Sequence, residues 1–289
     1  QIHAGGNYRR AVEMIQSGAI GNVKEVHVWC SRSINDVNPV VLPEQQIPEG
    51  FDWNAWLGPA PDRPYHTDYW RGGNLNWNRR WDFGNGVLGD MGSHLIDLAY
   101  WALALDRPTS VHSEATDPDE HACPPWQEVT WEHPSRGDAP HQSACKVVWY
   151  HGPEGMRRRA EHLQPMVGDD TNINQWGIGL AFVGDTGKVL TADYGKYVLS
   201  PSADFEDFAR PEQTIPDSLG HYNEWLAACK GGDNSLCNFD YSGKLIEHNL
   251  LGNAAHRANA GKLAWDAEAF AFTNAPEADQ YLTKTYRNG

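Results

Sequence analysis

The sequence predicts an α+β fold in which an open, largely antiparallel sheet packs with helices on one face. Apolar residues recur at helical spacing over residues 7–17 and then alternate with polar residues over 23–31, so a helix leads directly into a strand. A second apolar stripe at helical spacing covers residues 87–105. Short alternating segments separated by glycine-containing turns fill residues 177–199, which is typical of an antiparallel meander.

The first helix and the first strand have recognisable ends. Asn7 is predicted as the N-cap of the helix, and Gly18 as the residue that stops it. In the strand that follows, Val26, Val28 and Cys30 alternate with polar or larger side chains. One face of this strand is therefore predicted to be buried against helices.

The remaining elements follow the same two periodicities. Further strands are predicted at residues 109–115, 146–150, 177–183, 188–192 and 196–199. Further helices are predicted at 220–230 and 242–259, and the polar residues 152–175 are predicted as loop. Residues 32–83, rich in Pro, Asn, Gly and Trp, are predicted as a long aromatic loop insertion of the kind that covers a site. The prediction is one domain, residues 1–289, with no dinucleotide-binding domain in this chain.

The charge balance argues against nucleic-acid partners. The net charge is −15, from 23 Lys and Arg against 38 Asp and Glu, whereas phosphate binding needs clustered basic residues. No apolar stretch approaches the roughly 20 residues of a membrane-spanning helix, so no membrane partner is predicted. Five sparse cysteines and the lack of a signal-like segment favour reduced thiols and a cytoplasmic location.

A glycine motif precedes the helix predicted at residues 87–105. Gly84, Gly86 and Gly89 match the G-x-G-x-x-G pattern of dinucleotide-binding loops, and Asp106 lies about 20 residues beyond, where a ribose-binding acid is expected. That motif requires a buried parallel strand immediately upstream. Residues 74–83 contain no β-branched side chain, so we do not expect a dinucleotide site here.

Asp90 and His94 are the strongest candidates for catalytic chemistry. They lie four residues apart on this helix, so their side chains share a face, which Asp97 continues. A carboxylate beside an imidazole holds its tautomer and raises its basicity, which suits the histidine to proton transfer at a hydroxyl or carbonyl. The same spacing also fits an exposed first-turn carboxylate and a polar surface histidine. A metal site formed with His66 is a further alternative.

The block at residues 81–97 closely resembles the GG-x-L-x-D-x-G-x-H-x-x-D signature of Gfo/Idh/MocA oxidoreductases. Residues 17–21 followed by a strand resemble that family's entry into its second domain. Similar segments lie at residues 53–61, 239–243 and 273–278. The resemblance covers essentially the whole chain and is most specific at the 81–97 block.

The resemblance implies a fold and a function. The family pairs a Rossmann domain with an α+β domain whose open sheet often forms homo-oligomers, and it uses NAD or NADP. Asp90 and His94 match the family's catalytic or substrate-orienting pair, which lies beside the C–H bond that loses hydride. The implied substrate is a small carbohydrate or polyol, and the residues implied to bind it are Tyr65, His66, Arg80, Trp81, Asp97 and His221.

The sequence departs from the family in one respect that affects activity. Family members place the Rossmann domain first and draw a catalytic Lys from a Glu-Lys-Pro motif in it, and neither feature occurs in this sequence. The chain is therefore expected to be either a fragment or a lone domain, and no nicotinamide cofactor is expected to bind it alone.

Two other functions stay open at this point. The Asp90 and His94 pair could serve a cofactor-independent hydrolase or lyase that acts on a sugar or an ester. Alternatively, the aromatic loop and the exposed sheet could form a non-catalytic module for carbohydrate binding or oligomerisation.

Overall fold

The structure, a computed structural model, describes residues 1–33, 42–71 and 74–287. The helices are α1 Gly6–Gln16, α2 Trp53–Leu57, α3 Asn74–Trp77, α4 Gly86–Ala102, α5 Gly152–Val167, α6 His221–Cys229 and α7 Phe239–Ala258. The strands are β1 Val23–Cys30, β2 Ser110–Ala115, β3 Gln127–His133, β4 Cys145–His151, β5 Ile178–Gly184, β6 Val189–Ala192, β7 Tyr197–Ser200, β8 Leu263–Asp266 and β9 Ala271–Phe272. Among these helices, none is long and apolar enough to cross a membrane.

All the strands join one open sheet in the order β7-β6-β5-β1-β4-β3-β2-β8-β9. Strand β1 lies near its middle, parallel to β4 and antiparallel to β5. The other strand pairings of the described chain are antiparallel. The predicted α+β class with a largely antiparallel open sheet is therefore confirmed.

The inner face of the sheet carries the main core. Val26, Val28 and Cys30 of β1 all point to this face, as the predicted alternation requires, and they pack in one buried cluster with side chains of α1, α4 and α7. Helices α4 and α7 pack against each other beneath the sheet, and α1 packs against α4. This packing fixes α4, the helix that carries Asp90 and His94.

The outer face carries a second, smaller core. Trp29 of β1, together with Val148 and Tyr150 of β4, packs against Leu163 and Val167 of helix α5. The loop prediction for residues 152–175 was therefore wrong over 152–167, and helices lie on both faces of the sheet rather than one. An internal Pro165 and a surface dominated by charged side chains hide the narrow apolar stripe of this helix in the sequence.

The predicted aromatic insertion folds into a cluster of its own where the structure describes it. Leu42, Trp53, Leu57, Tyr65 and Tyr69 are buried together, and α2 begins at an Asp52 cap. The Asn7 cap prediction was wrong, because Gly5 is the N-cap of α1. The remainder of the predicted insertion, residues 34–41 and 72–73, lies outside the described residues.

Candidate functional site

The loop that leads into α4 is built around one buried amide side chain. Asn78 Nδ2 donates to the carbonyl of Gly86 at 3.1 Å, and the backbone N–H of Asn85 donates to Asn78 Oδ1 at 3.1 Å. The N–H of Gly86 donates to the Asn78 carbonyl at 3.0 Å. A Cβ at Gly84 would lie 2.4 Å from Asn78 Cα, so glycine is required there for close packing.

These contacts determine whether the glycine motif at residues 84–89 can bind a dinucleotide. Phosphate-binding loops present free backbone N–H groups at a helix N-terminus. Here the N–H groups of Asn85 and Gly86 are bonded to Asn78, and the residues before Gly84 form turns rather than a strand. The geometry at residues 84–89 therefore does not fit a dinucleotide, and the loop instead fixes the start of α4.

Asp90 and His94 lie half-buried in the first half of α4. Arg32, just beyond the end of β1, donates from Nη1 to Asp90 Oδ2 at 3.2 Å. Burial lowers the pKa of His94 below its ordinary value, while the charge of Asp90 acts in the opposite direction. At neutral pH the His94 imidazole is therefore uncharged and can accept a proton, and a carboxylate lies on the same helical face.

Two tyrosines extend this site. The hydroxyl of Tyr8 on α1 donates to the backbone carbonyl of His94 at 2.9 Å. Its ring packs edge-on against Tyr194, in the turn between β6 and β7. Burial raises the pKa of Tyr194 to about 12, and the charges of Asp90 and Arg32 also act on it. Tyr194 therefore brings a neutral hydroxyl near the charged side of the site.

Sequence reasoning missed Arg32, Tyr8 and Tyr194. The three lie on a strand end, a helix and a turn that are far apart in the chain, and only the sheet brings them to α4. Of these three residues, Arg32 is the one whose sequence position could have indicated a site residue, because charged residues just past the end of a buried strand often belong to a functional site.

Asp97 is buried one turn beyond His94 and is engaged within the protein. His3 Nδ1 lies 3.0 Å from each of its carboxylate oxygens, and the Tyr241 hydroxyl donates to Oδ1 at 2.6 Å. The His3 ring also stacks on Trp101 at 3.8 Å. Asp97 therefore ties the N-terminal segment and α7 to α4, and a substrate contact for it stays a prediction.

Tyr65 and His66 belong to the aromatic insertion. Tyr65 is buried and meets the Trp53 ring edge-on. His66 accepts from the Asp68 backbone N–H at Nδ1, and its Nε2 lies 3.0 Å from Gln45 Nε2. Both ring nitrogens of His66 thus make contacts within the aromatic insertion.

The metal site suggested for Asp90, His94 and His66 is not formed. Within the described ranges, the group of His, Cys, Asp and Glu side chains close enough to share a metal ion is a different one, on the outer face of the sheet. His66 is instead held by its own loop, as described above.

The other predicted substrate residues are spread over the molecule. Arg80 is buried with its guanidinium over the Tyr69 ring, 4.7 Å from the centroid. Trp81 donates from Nε1 to the Asp119 carbonyl at 3.1 Å, and His221 begins α6. The structure thus places Asp90 and His94 on one face and anchors Trp81 elsewhere.

Part of the chain is similar to a known protein family. Residues 13–148 match the family GFO_IDH_MocA_C2, described as an oxidoreductase family, C-terminal alpha/beta domain. The matched segment includes β1, α4 and the whole 81–97 block. No curated protein matches the chain significantly.

Several solved structures are similar to this chain at low sequence identity. An oxidoreductase from Thermotoga maritima is 13% identical, with 91% of this chain and 60% of that chain covered and a TM-score of 0.48. The WlbA dehydrogenase from Bordetella pertussis, in complex with NADH and UDP-GlcNAcA, is 12% identical over 90% and 62%, with a TM-score of 0.46. The aldose-aldose oxidoreductase from Caulobacter crescentus, complexed with glycerol, is 12% identical over 92% and 61%, with a TM-score of 0.41. The chain thus spans about 60% of the length of these structures.

Proposed function

We propose, from the match of residues 13–148 to the family described as an oxidoreductase family, C-terminal alpha/beta domain, that this chain is the substrate-binding part of a sugar or polyol oxidoreductase. The observation that carries the proposal is the half-buried Asp90 and His94 pair on one face of α4. Oxidation of an alcohol requires a base for the hydroxyl proton and groups that orient the hydroxyl. This pair supplies both.

His94 is the proton acceptor in this proposal. Burial keeps its imidazole neutral near pH 7, so a ring nitrogen can take the proton of a substrate hydroxyl. A nicotinamide cofactor, as implied by the family resemblance, would accept the hydride from the adjacent C–H bond. The Tyr8 hydroxyl bond to the His94 carbonyl holds this turn of α4 in place. Proton transfer needs such fixed geometry, because small displacements are costly.

Asp90 orients the substrate. Its carboxylate is ion-paired with Arg32 on one oxygen and remains partly accessible, so it can accept hydrogen bonds from neighbouring hydroxyl groups. Since residues 84–89 do not fit a dinucleotide, we assign nicotinamide binding to no residue of this chain. The chain's own part is hydroxyl binding and proton transfer.

A binding experiment tests this function. The purified chain is titrated with a panel of aldoses and polyols by saturation-transfer NMR, alongside Asp90→Asn, His94→Ala and the off-site control His112→Ala. We expect one sugar class to bind, with an affinity loss of about tenfold or more in both site variants, as for removal of a hydrogen bond to a charged group, and no loss in the control.

Two results would favour the alternatives. Sugar or ester turnover without nucleotide that disappears in His94→Ala would indicate the hydrolase or lyase. Sugar affinity that survives loss of both side chains would indicate a non-catalytic module and would overturn the proposal.

We also propose that the protein forms homo-oligomers through its sheet. Helix α5 covers part of the outer face, and its Arg158 pairs with Glu114 of β2 and Glu128 of β3. The interface would therefore use the other outward-facing, half-buried side chains of β2 and β3. Light scattering of the purified chain measures this directly, and a monomer at micromolar concentration would contradict it.

A further inference from the structure

A cluster of metal-ligand side chains lies on the outer face of the sheet, away from the inner-face core that holds α4. Glu25 and His27 are two residues apart on β1, so both point outward, and His162 of α5 lies over them. One ligand atom from each side chain lies within 4.8 Å of the others. Two imidazoles and one carboxylate form a common ligand set for a divalent transition metal.

The distances within the cluster match those of a metal site. Glu25 Oε2 lies 3.1 Å from His27 Nε2 and 3.3 Å from His162 Nε2. With zinc–ligand bonds of about 2.0–2.1 Å, the edges of a tetrahedron are about 3.3–3.4 Å long. The Glu25–His162 pair has this separation and the Glu25–His27 pair is slightly closer, and the His27 and His162 rings lie 4.7 Å apart between centroids.

The surroundings of His27 orient it for such a role. Its other ring nitrogen, Nδ1, lies 3.0 Å from the hydroxyl of Tyr150 on the neighbouring strand β4. Metal-bound histidines generally donate their second ring N–H to an oxygen, which fixes the tautomer and directs the free lone pair toward the metal. Tyr150 can accept this bond, because a phenol oxygen carries free lone pairs.

The cluster is also open to an incoming ion. The side chain of His27 is 1% exposed, whereas those of Glu25 and His162 are 30% and 48% exposed. The nearby cations are already neutralised, since Arg157 pairs with Glu154 and Glu161 and Arg158 with Glu114, Glu128 and Glu154. Solvent can therefore deliver the metal and supply water as a fourth ligand.

We propose that Glu25, His27 and His162 form a zinc site that fastens α5 to strand β1. Helix α5 is the helix that covers the outer-face core in the described chain, and its link to β1 would pass through the metal. The site lies apart from Asp90 and His94, so the proposal of a zinc site does not depend on the proposed sugar chemistry. The competing explanation is a purely hydrogen-bonded triad, in which the Glu25 carboxylate accepts from both imidazoles.

Titration of the untagged, EDTA-treated chain with zinc chloride tests the site. Isothermal titration calorimetry is expected to give one Zn²⁺ per chain, and zinc is expected to raise the thermal midpoint, because a ligand that binds only the folded state stabilises it. His162→Ala and Glu25→Gln are expected to weaken zinc binding by about tenfold or more. His121→Ala, which changes a partly exposed histidine in the loop before β3, is the matched control and should bind like the unchanged chain.

Circular dichroism of His162→Ala verifies that this half-exposed position tolerates the change, so loss of zinc binding can be assigned to loss of a ligand. Zinc binding of equal strength in His162→Ala would overturn the proposal. So would a thermal midpoint that does not respond to zinc while His162→Ala still lowers it, which is the result expected of the hydrogen-bonded triad.

Discussion

His94 combines two opposing influences in one side chain. Burial lowers its pKa, and the Asp90 carboxylate four residues before it partly offsets this effect. The outcome is an imidazole that stays neutral through the physiological range and keeps a proton-accepting nitrogen. The protonation state of His94 therefore depends on how deeply α4 is packed as much as on the residue type.

The titration of His94 follows directly from this balance. We expect its ring resonances to titrate with a midpoint below 6.5, and Asp90→Asn to move the midpoint lower still, because the variant removes the charge that raises the pKa. Two-dimensional NMR across a pH series measures both, with His94→Gln used to assign the resonance. A midpoint that rises in Asp90→Asn would contradict the described electrostatics.

At the scale of elements, α7 approaches the sheet more closely than an ordinary helix can. A Cβ at Gly252 would lie 2.8 Å from Leu88 Cδ2, 2.9 Å from Trp131 Cζ2 and 3.0 Å from Val129 Cγ1. Glycine is ordinarily unfavourable in a helix interior. At position 252, however, the packed rings and methyl groups leave no space for a side chain.

Alanine substitutions at two glycines of α7 separate the effect of close packing from the effect of helix propensity. Gly252→Ala is expected to lower the free energy of unfolding by about 1–3 kcal/mol through overpacking. Gly243→Ala, on the same helix with open space around its Cβ position, is expected to raise it by up to about 1 kcal/mol through helix propensity. Urea denaturation measures both, and equal effects of the two variants would exclude the close-packing explanation.

The sequence could predict the elements whose periodicity is strong. Helices α1 and α4 and strand β1 were predicted within a few residues, and the spacing of Asp90 and His94 placed them on one face. Helix α5 was missed because its charged surface and Pro165 resemble a loop. Tyr194 could not be predicted as a site residue, since only the tertiary pairing of distant strands brings it to α4.

At the scale of the whole molecule, neutral histidines are distributed through the core. Burial lowers the pKa of His133, and lowers those of His151, His248 and His256 to about 4. Trp149 donates from Nε1 to His151 Nδ1 at 2.9 Å, so a proton on that nitrogen would displace a hydrogen bond. These groups bind protons more readily in the unfolded chain than in the folded one.

The protein should therefore lose stability in mild acid. Because the unfolded histidines protonate near pH 6.5 and the folded ones only near pH 4, stability is complete above pH 6.5 and is lost as the pH falls toward 4. Each such histidine costs up to about 1.4 kcal/mol per pH unit in that range. Urea midpoints measured from pH 7 to pH 4.5 give the slope of the free energy of unfolding against pH.

His151→Gln keeps an acceptor for the Trp149 indole and removes one titrating group, so its slope should be shallower than that of the unchanged chain. His112→Gln, at a more exposed position, should leave the slope nearly unaltered. A urea midpoint that is flat between pH 7 and pH 5 would show that the buried histidines are not the source of acid sensitivity.

The position of β1 in the sheet has a consequence for the order of folding. Glu25 pairs with Lys146 on one side and with Val183 on the other, so the central strand cannot form either hydrogen-bonded ladder until most of the chain is available. Such long loop closures slow folding. During synthesis, β1 should therefore remain without its sheet partners, with its apolar face uncovered, until β4 and β5 emerge.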